Sequence, residues 1–105
     1  MPNFGQIFDL DITFEVTQEN IENGVQFDSL YCPISLAIKD RLSSLLGKFD
    51  ISVDIERCTI FHDNGISTYA ETYWINFPSS ATQFIIDFDN DKPVQPFSFS
   101  SKLAR

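Results

Sequence analysis

Residues 7–16 read IFDLDITFEV, and this stretch decides the fold class. Phe8, Leu10, Ile12, Phe14 and Val16 alternate with Asp9, Asp11, Thr13 and Glu15. A period of two belongs to an extended strand, whose successive side chains point to opposite faces. The alternation predicts a strand with one face on a core and the other in water. It is the strongest strand signal in the chain.

Working outward, Thr17 has the character of a helix N-cap. The following QENIEN predicts one or two helical turns, closed by Gly24 in a left-handed conformation. Residues 25–31 read as a connector that buries Phe27 and Leu30. Pro33 then suits the first turn of a helix, where its missing N–H is not needed. Ile34, Ala37, Ile38, Leu42, Leu45 and Leu46 share one face of that helix, and Gly47 is its stop.

Ile51, Val53 and Ile55 alternate with Ser52, Asp54 and Glu56 and predict a second strand. Residues 57–62 form a third strand or continue the second. Asp63-Asn64-Gly65 signals a turn, since Asn and Gly accept positive φ cheaply. Residues 66–77, ISTYAETYWINF, are rich in aromatic and β-branched side chains and complete a hairpin over 58–76. Pro78 and Ser79 break that strand, with Ser79 or Ser80 capping a short helix. Ala81, Phe84, Ile85 and Phe88 share its apolar face, and Asn90-Asp91 ends it. The tail VQPFSFS holds apolar Val94, Phe97 and Phe99, and its prolines argue for an edge strand or a packed arm.

Together these segments predict a single α+β domain over residues 1–105. It has a small, mostly antiparallel sheet of three to five strands, one long helix packed on one face and a second short C-terminal helix. Phe is the main core filler, at 11 of 105 residues.

Composition narrows the function classes. The formal net charge is −8, from 15 acidic and 7 basic residues. Residues 1–38 carry Asp9, Asp11, Glu15, Glu19, Glu22 and Asp28 and no Lys or Arg; the first basic residue is Lys39. Phosphate contacts need cations, so direct binding to nucleic acid is not expected. No apolar run approaches the length of a membrane span, and the N-terminal MPNFGQIFDLD does not read as a secretory signal. Cys32 and Cys58 lack metal-like spacing and read as two free thiols of an intracellular protein.

Candidate chemistry is sparse. His62 next to Asp63 sits at a hairpin tip, but neighbours on a strand point to opposite faces and cannot readily pair. Cys32 precedes Pro33 at a helix start, where the dipole lowers a thiol pKa and free N–H groups attract an anion. The alternative is a small buried thiol that fixes the helix entry. Asp87, Asp89 and Asp91 lack the glycine of a calcium loop, and neither a metal nor a cofactor is expected. Tyr69 and Tyr73 share one strand face with Glu71, and Trp74 lies on the other with Ala70 and Thr72. One of these faces covers the core; the other is free to stack a base or anchor a protein.

The segments TQENIENGV (17–25), YCPISLAIKD (31–40) and FIIDFDNDKPVQPFSF (84–99) resemble small, largely uncharacterised proteins of tailed bacteriophages. The central region, 48–77, carries no part of that resemblance. It implies a phage accessory protein acting in the host cytoplasm and implies no enzyme. By analogy of size and origin, it suggests an inhibitor of host defence.

Two expectations follow. The first is a non-enzymatic binder that sequesters a nucleotide-derived immune signal through Cys32, Pro33, Ser35, Lys39, Arg57, Tyr73 and Trp74. The second is an acidic inhibitor of a host defence protein, a nucleic-acid mimic using Asp9, Asp11, Glu15, Glu19, Glu22 and Asp28. Either the strand edge at 7–16 or the 94–99 arm is also open to pairing with another subunit.

Overall fold

A computed structural model describes residues 11–46, 49–62 and 71–104. In chain order the elements are β1 (Asp11–Val16), α1 (Gln18–Asn23), α2 (Pro33–Leu46), β2 (Phe49–Val53), β3 (Arg57–His62), β4 (Glu71–Asn76), α3 (Ser79–Asp89) and β5 (Phe97–Ala104). The strands form an antiparallel sheet in the order β1-β5-β4-β3-β2. The mixed helix and sheet class is the expected one, with three helices among the described residues.

β1 follows its sequence pattern: Ile12, Phe14 and Val16 are buried, while Asp11, Thr13 and Glu15 are exposed. Residues 7–10 of the expected strand lie outside the described residues. β1 pairs along its length with β5, placing Phe14 opposite Phe99 and Asp11 opposite Lys102. Thr13 and Ser100 face each other on the wet side, their hydroxyl oxygens 2.9 Å apart.

β2, β3 and β4 form a meander. Its first turn is held by Asp54, whose Oδ1 accepts the N–H groups of Glu56 and Arg57 at 2.8 and 2.9 Å. That turn ends β2 at Val53, so Ile55 leaves the expected alternation and stands 48% exposed. Residues 57–62 are a separate strand, β3, and pair with β4 as the expected hairpin. Asp63-Asn64-Gly65 and Tyr69 lie outside the described residues.

The tail corrects an expectation. β5 is an interior strand of the sheet order, with β1 on one side and β4 on the other. Pro93 and Pro96 both precede it, so neither removes a donor from its ladder. Among the described residues its ladder with β4 runs through Leu103 and Ala104, while residues 97–102 pair with β1. Ser101 Oγ secures the junction by donating to the Asn76 carbonyl at 2.7 Å.

Ile34, Ala37, Ile38 and Leu42 bury one face of α2 against the sheet. The side chains of Leu45 and Leu46, and all of Gly47, lie outside the described residues. α2 touches both β1 and β2, the two terminal strands of the order. α3 uses Ala81, Phe84 and Ile85 in the same core. Its N-cap is Pro78, with no side-chain cap, so neither Ser79 nor Ser80 plays the expected part. The aromatic filling is continuous: Phe14–Phe99, Phe97–Phe99 and Phe84–Phe97 stack at 5.2, 5.9 and 4.9 Å, and Phe77 meets Phe99 edge-on at 5.8 Å.

Two further corrections concern the segment before α2. Gly24 has φ −75° and ψ 151°, an extended and not a left-handed conformation. What requires glycine there is space: a Cβ would stand 2.5 Å from Pro33 Cγ and 2.6 Å from Pro33 Cδ. Phe27 is 78% exposed and Leu30 44% exposed, so the connector does not bury them. Phe27 takes the left-handed φ of 56°. Its N–H donates to Asp89 Oδ1 at 2.9 Å, and Gln26 Nε2 donates to the Phe88 carbonyl at 2.9 Å. These bonds turn the Phe27 backbone inward and its ring out.

Candidate functional site

An open site lies between β1 and α2. A groove of about 500 Å³ is lined by Asp11, Thr13, Glu15 and Thr17 on one side and by Ala37, Asp40 and Arg41 on the other. Alternation along β1 explains the first wall, because the same period that buries Ile12, Phe14 and Val16 turns Asp11, Thr13 and Glu15 out. Helical spacing explains the second. Ala37 sits at the margin of the apolar face, and Asp40 and Arg41 follow on the polar side. Ala37 is small, which leaves room in the groove between α2 and the strand.

α1 fixes the end of the groove. Thr17 and Asn20 form a reciprocal cap: the Asn20 N–H donates to Thr17 Oγ1 at 3.1 Å, and the Thr17 N–H donates to Asn20 Oδ1 at 3.0 Å. Asn20 is buried, and its Nδ2 donates to Asp40 Oδ2 at 3.1 Å. The Asp40 carboxylate is thereby held in position by a neutral partner. A second groove of about 420 Å³ adjoins the first at Thr17 and Asp40 and adds Glu19, Asn23 and Leu36. Across both, Asp11, Glu15, Glu19 and Asp40 outnumber the single cation Arg41.

The structure thus brings together Asp11, Glu15 and Glu19 of the acidic set. Glu22 lies on α1, where it accepts from Gln18 Nε2 at 3.5 Å. Asp28 is occupied elsewhere, its Oδ1 accepting the N–H groups of Leu30 and Tyr31 at 2.8 and 3.0 Å. Asp9 lies outside the described residues.

The residues expected to hold a nucleotide are dispersed. Cys32, Pro33 and Ser35 are buried at the start of α2. Cys32 Sγ itself accepts the Ser35 N–H at 3.4 Å, so the thiol occupies the place an anion would need. Burial pushes the Cys32 thiol up, Asp89 and Asp28 push the same way, and the Ser35 and Ile34 N–H groups only partly oppose them. This is the inert, entry-fixing thiol and not the activated one. Ser35 Oγ and Lys39 Nζ both donate to the Leu30 carbonyl, at 2.7 and 2.8 Å, and the Lys39 ammonium also lies 4.7 Å from the Tyr31 ring centre. Tyr73 is buried in the core, while Arg57 and Trp74 lie on the opposite, outer face of the sheet. No single surface therefore joins the seven.

Burial pushes the Cys58 thiol further, up to about 12. Both cysteines are free and buried. The three tail carboxylates serve the fold: Asp87 accepts from Gln83 Nε2 at 2.9 Å, Asp89 holds the Phe27 N–H, and Asp91 accepts from Gln26 Nε2 at 2.6 Å. Among the described residues no helix is long and apolar enough to cross a membrane, and no three or more His, Cys, Asp or Glu side chains gather as a metal site.

Sequence reasoning missed Ala37, Asp40 and Arg41 as groove residues. Asp40 and Arg41 were legible as the polar side of a helix. Which strand that side would meet was not legible, because it depends on how α2 crosses the sheet. No family model, no curated protein and no solved structure matches the chain.

Proposed function

We propose that the protein is a non-enzymatic binder that captures a basic segment of another protein in the β1–α2 groove. The observation that carries this reading is the acidic, open groove itself, with Asp11, Glu15 and Asp40 against Arg41 over about 500 Å³. Complementary charge steers association and selects partners of opposite sign. The net charge of −8 adds a long-range field of the same sign.

The resemblance of 17–25, 31–40 and 84–99 to tailed-phage proteins supports a biological setting. In it the protein acts in the cytoplasm of an infected bacterium and blocks a basic, nucleic-acid-facing surface of a host defence protein. Nucleotide sequestration is the weaker reading, since Cys32 Sγ already accepts the Ser35 N–H and both Ser35 Oγ and Lys39 Nζ already donate to the Leu30 carbonyl.

The test is charge reversal at exposed positions. Asp11→Lys with Glu15→Lys and Glu19→Lys is compared with the wild type for partner recovery from bacterial lysate and for protection of phage growth. Loss of both at an unchanged melting temperature supports the groove as the binding surface. Equal recovery by the reversed protein rejects it.

A further inference from the structure

β1 is a terminal strand of the sheet. Among the described residues, no backbone hydrogen bond other than those of its ladder with β5 involves Asp11–Val16. The alternate peptide groups of β1 that face away from β5 therefore have no backbone partner among the described residues. The other terminal strand is engaged at its end, where the Val53 N–H of β2 donates to the Ser29 carbonyl at 2.9 Å. Edge strands are commonly protected by Pro, Lys, a bulge, or a covering helix or loop; here α2 stands beside β1, with the groove between them. Asp11–Val16 has neither Pro nor Lys and pairs without a bulge over six consecutive residues. An open edge flanked by a helix is the geometry in which an extended peptide adds a strand.

We infer that the groove takes its partner by strand addition: an extended basic segment of another protein pairs with the free edge of β1 and lies against α2. This rests on the reading of the groove as a site for a basic partner, and it specifies how the backbone of that partner is held. The alternation of β1 sets the side-chain pattern. Residues of the added strand on the outer face lie beside Asp11, Thr13 and Glu15, so cations belong four positions apart, opposite the two carboxylates. Residues on the inner face lie over α2 and must be small beside Ala37. A second copy of this chain fits poorly, because two β1 edges would set Asp11 and Glu15 of one against the same carboxylates of the other.

The probe is the synthetic peptide acetyl-Lys-Ala-Thr-Ala-Lys-Ala-amide, with two derivatives N-methylated on alternate residues in opposite phases. Binding is followed by calorimetry, and the protein amides by hydrogen exchange. In strand addition, one phase of N–H groups points to β1 and the other to solvent or α2. One derivative should lose about tenfold or more in affinity and the other should bind like the parent. Exchange at β1 amides should slow with the parent peptide.

If the parent binds and both derivatives match it, with β1 exchange unchanged, strand addition is overturned while charge capture by the groove stands. If the parent fails to bind but the charge-reversal variant still loses its cellular partner, strand addition is again overturned and the acidic surface stands. If neither effect is seen, both readings fall. A sedimentation experiment showing a dimer with protected β1 amides before peptide is added would assign the edge to a second copy and overturn the inference.

Discussion

Gly24→Ala is the sharpest test of the packing that positions the groove. Judged by backbone angles, this substitution should help: φ −75° and ψ 151° are open to any residue, and alanine loses less entropy on folding than glycine. That reasoning predicts a gain of about 0.4–1 kcal/mol. The structure predicts the reverse. An added Cβ would meet Pro33 Cγ at 2.5 Å, Pro33 Cδ at 2.6 Å and the Asn20 carbonyl oxygen at 2.9 Å. None of these three is a flexible tip. Pro33 is a ring locked at the first turn of α2 and buried, and the Asn20 carbonyl belongs to α1. Relief requires moving α1 away from α2, which strains the Asn20–Asp40 bond at the end of the groove. Overpacking of this kind costs about 1–3 kcal/mol, so the net change should be a loss of about 1–2 kcal/mol. For a domain of this size that is a melting-temperature drop of about 4–16 °C. Urea denaturation and differential scanning calorimetry measure it directly. Pro33→Ala removes the two closest atoms, so the double variant should recover at least about 1 kcal/mol relative to additivity. A Gly24→Ala protein as stable as the wild type, or strict additivity with Pro33→Ala, would refute the reasoning.

Two other outcomes follow from buried and strained positions. Cys58 keeps its proton up to about pH 12 in the folded state, against 9.0 for the ordinary thiol, so its contribution is fully present below pH 9 and is lost as pH rises from 9 toward 12. Only the unfolded chain ionises there, so this thiol lowers stability by up to about 1.4 kcal/mol per pH unit. Urea titrations of reduced protein at pH 8.5, 9.5 and 10.5 should show a steeper decline in wild type than in Cys58→Ala; parallel declines would exclude the effect. Phe27→Gly should raise stability by up to about 1 kcal/mol, because the left-handed φ of 56° burdens a residue with a Cβ and the 78% exposed ring gives up little burial. A loss beyond about 1 kcal/mol would mean that the ring is held by contacts the exposed geometry does not contain.

The local periods were legible in the chain. The β1 alternation, the Thr17 cap, the apolar faces of α2 and α3, and the pairing of β3 with β4 all depend on residues at most a few positions apart or on one turn. Period-two burial, helical stepping and capping are short-range effects, so the chain shows them without its fold. Two local rules misled. The prolines of 93–96 argue for an edge strand or a packed arm, yet they only precede an interior strand, and glycine at 24 reads as a conformational need when it serves a steric one. Phe27 misled for a related reason: hydrophobicity favours burial, but hydrogen bonds from residues about sixty positions away hold its backbone so that the ring points out.

The sequence by itself determined the parts and their wet and dry faces, including the acidic face of β1 and the polar side of α2. Only the tertiary structure decided which parts meet. Thr13 pairs with Ser100 across 87 positions, and Asn20 with Asp40 across two helices. The first of these contacts belongs to the ladder that leaves one edge of β1 open; the second fixes the helix that turns that edge into a groove. Such pairings are chosen by how complementary surfaces pack once the whole core is assembled. Every strand with an apolar face offers the same local signal to several neighbours, so the choice between them is a property of the assembled core and not of any segment.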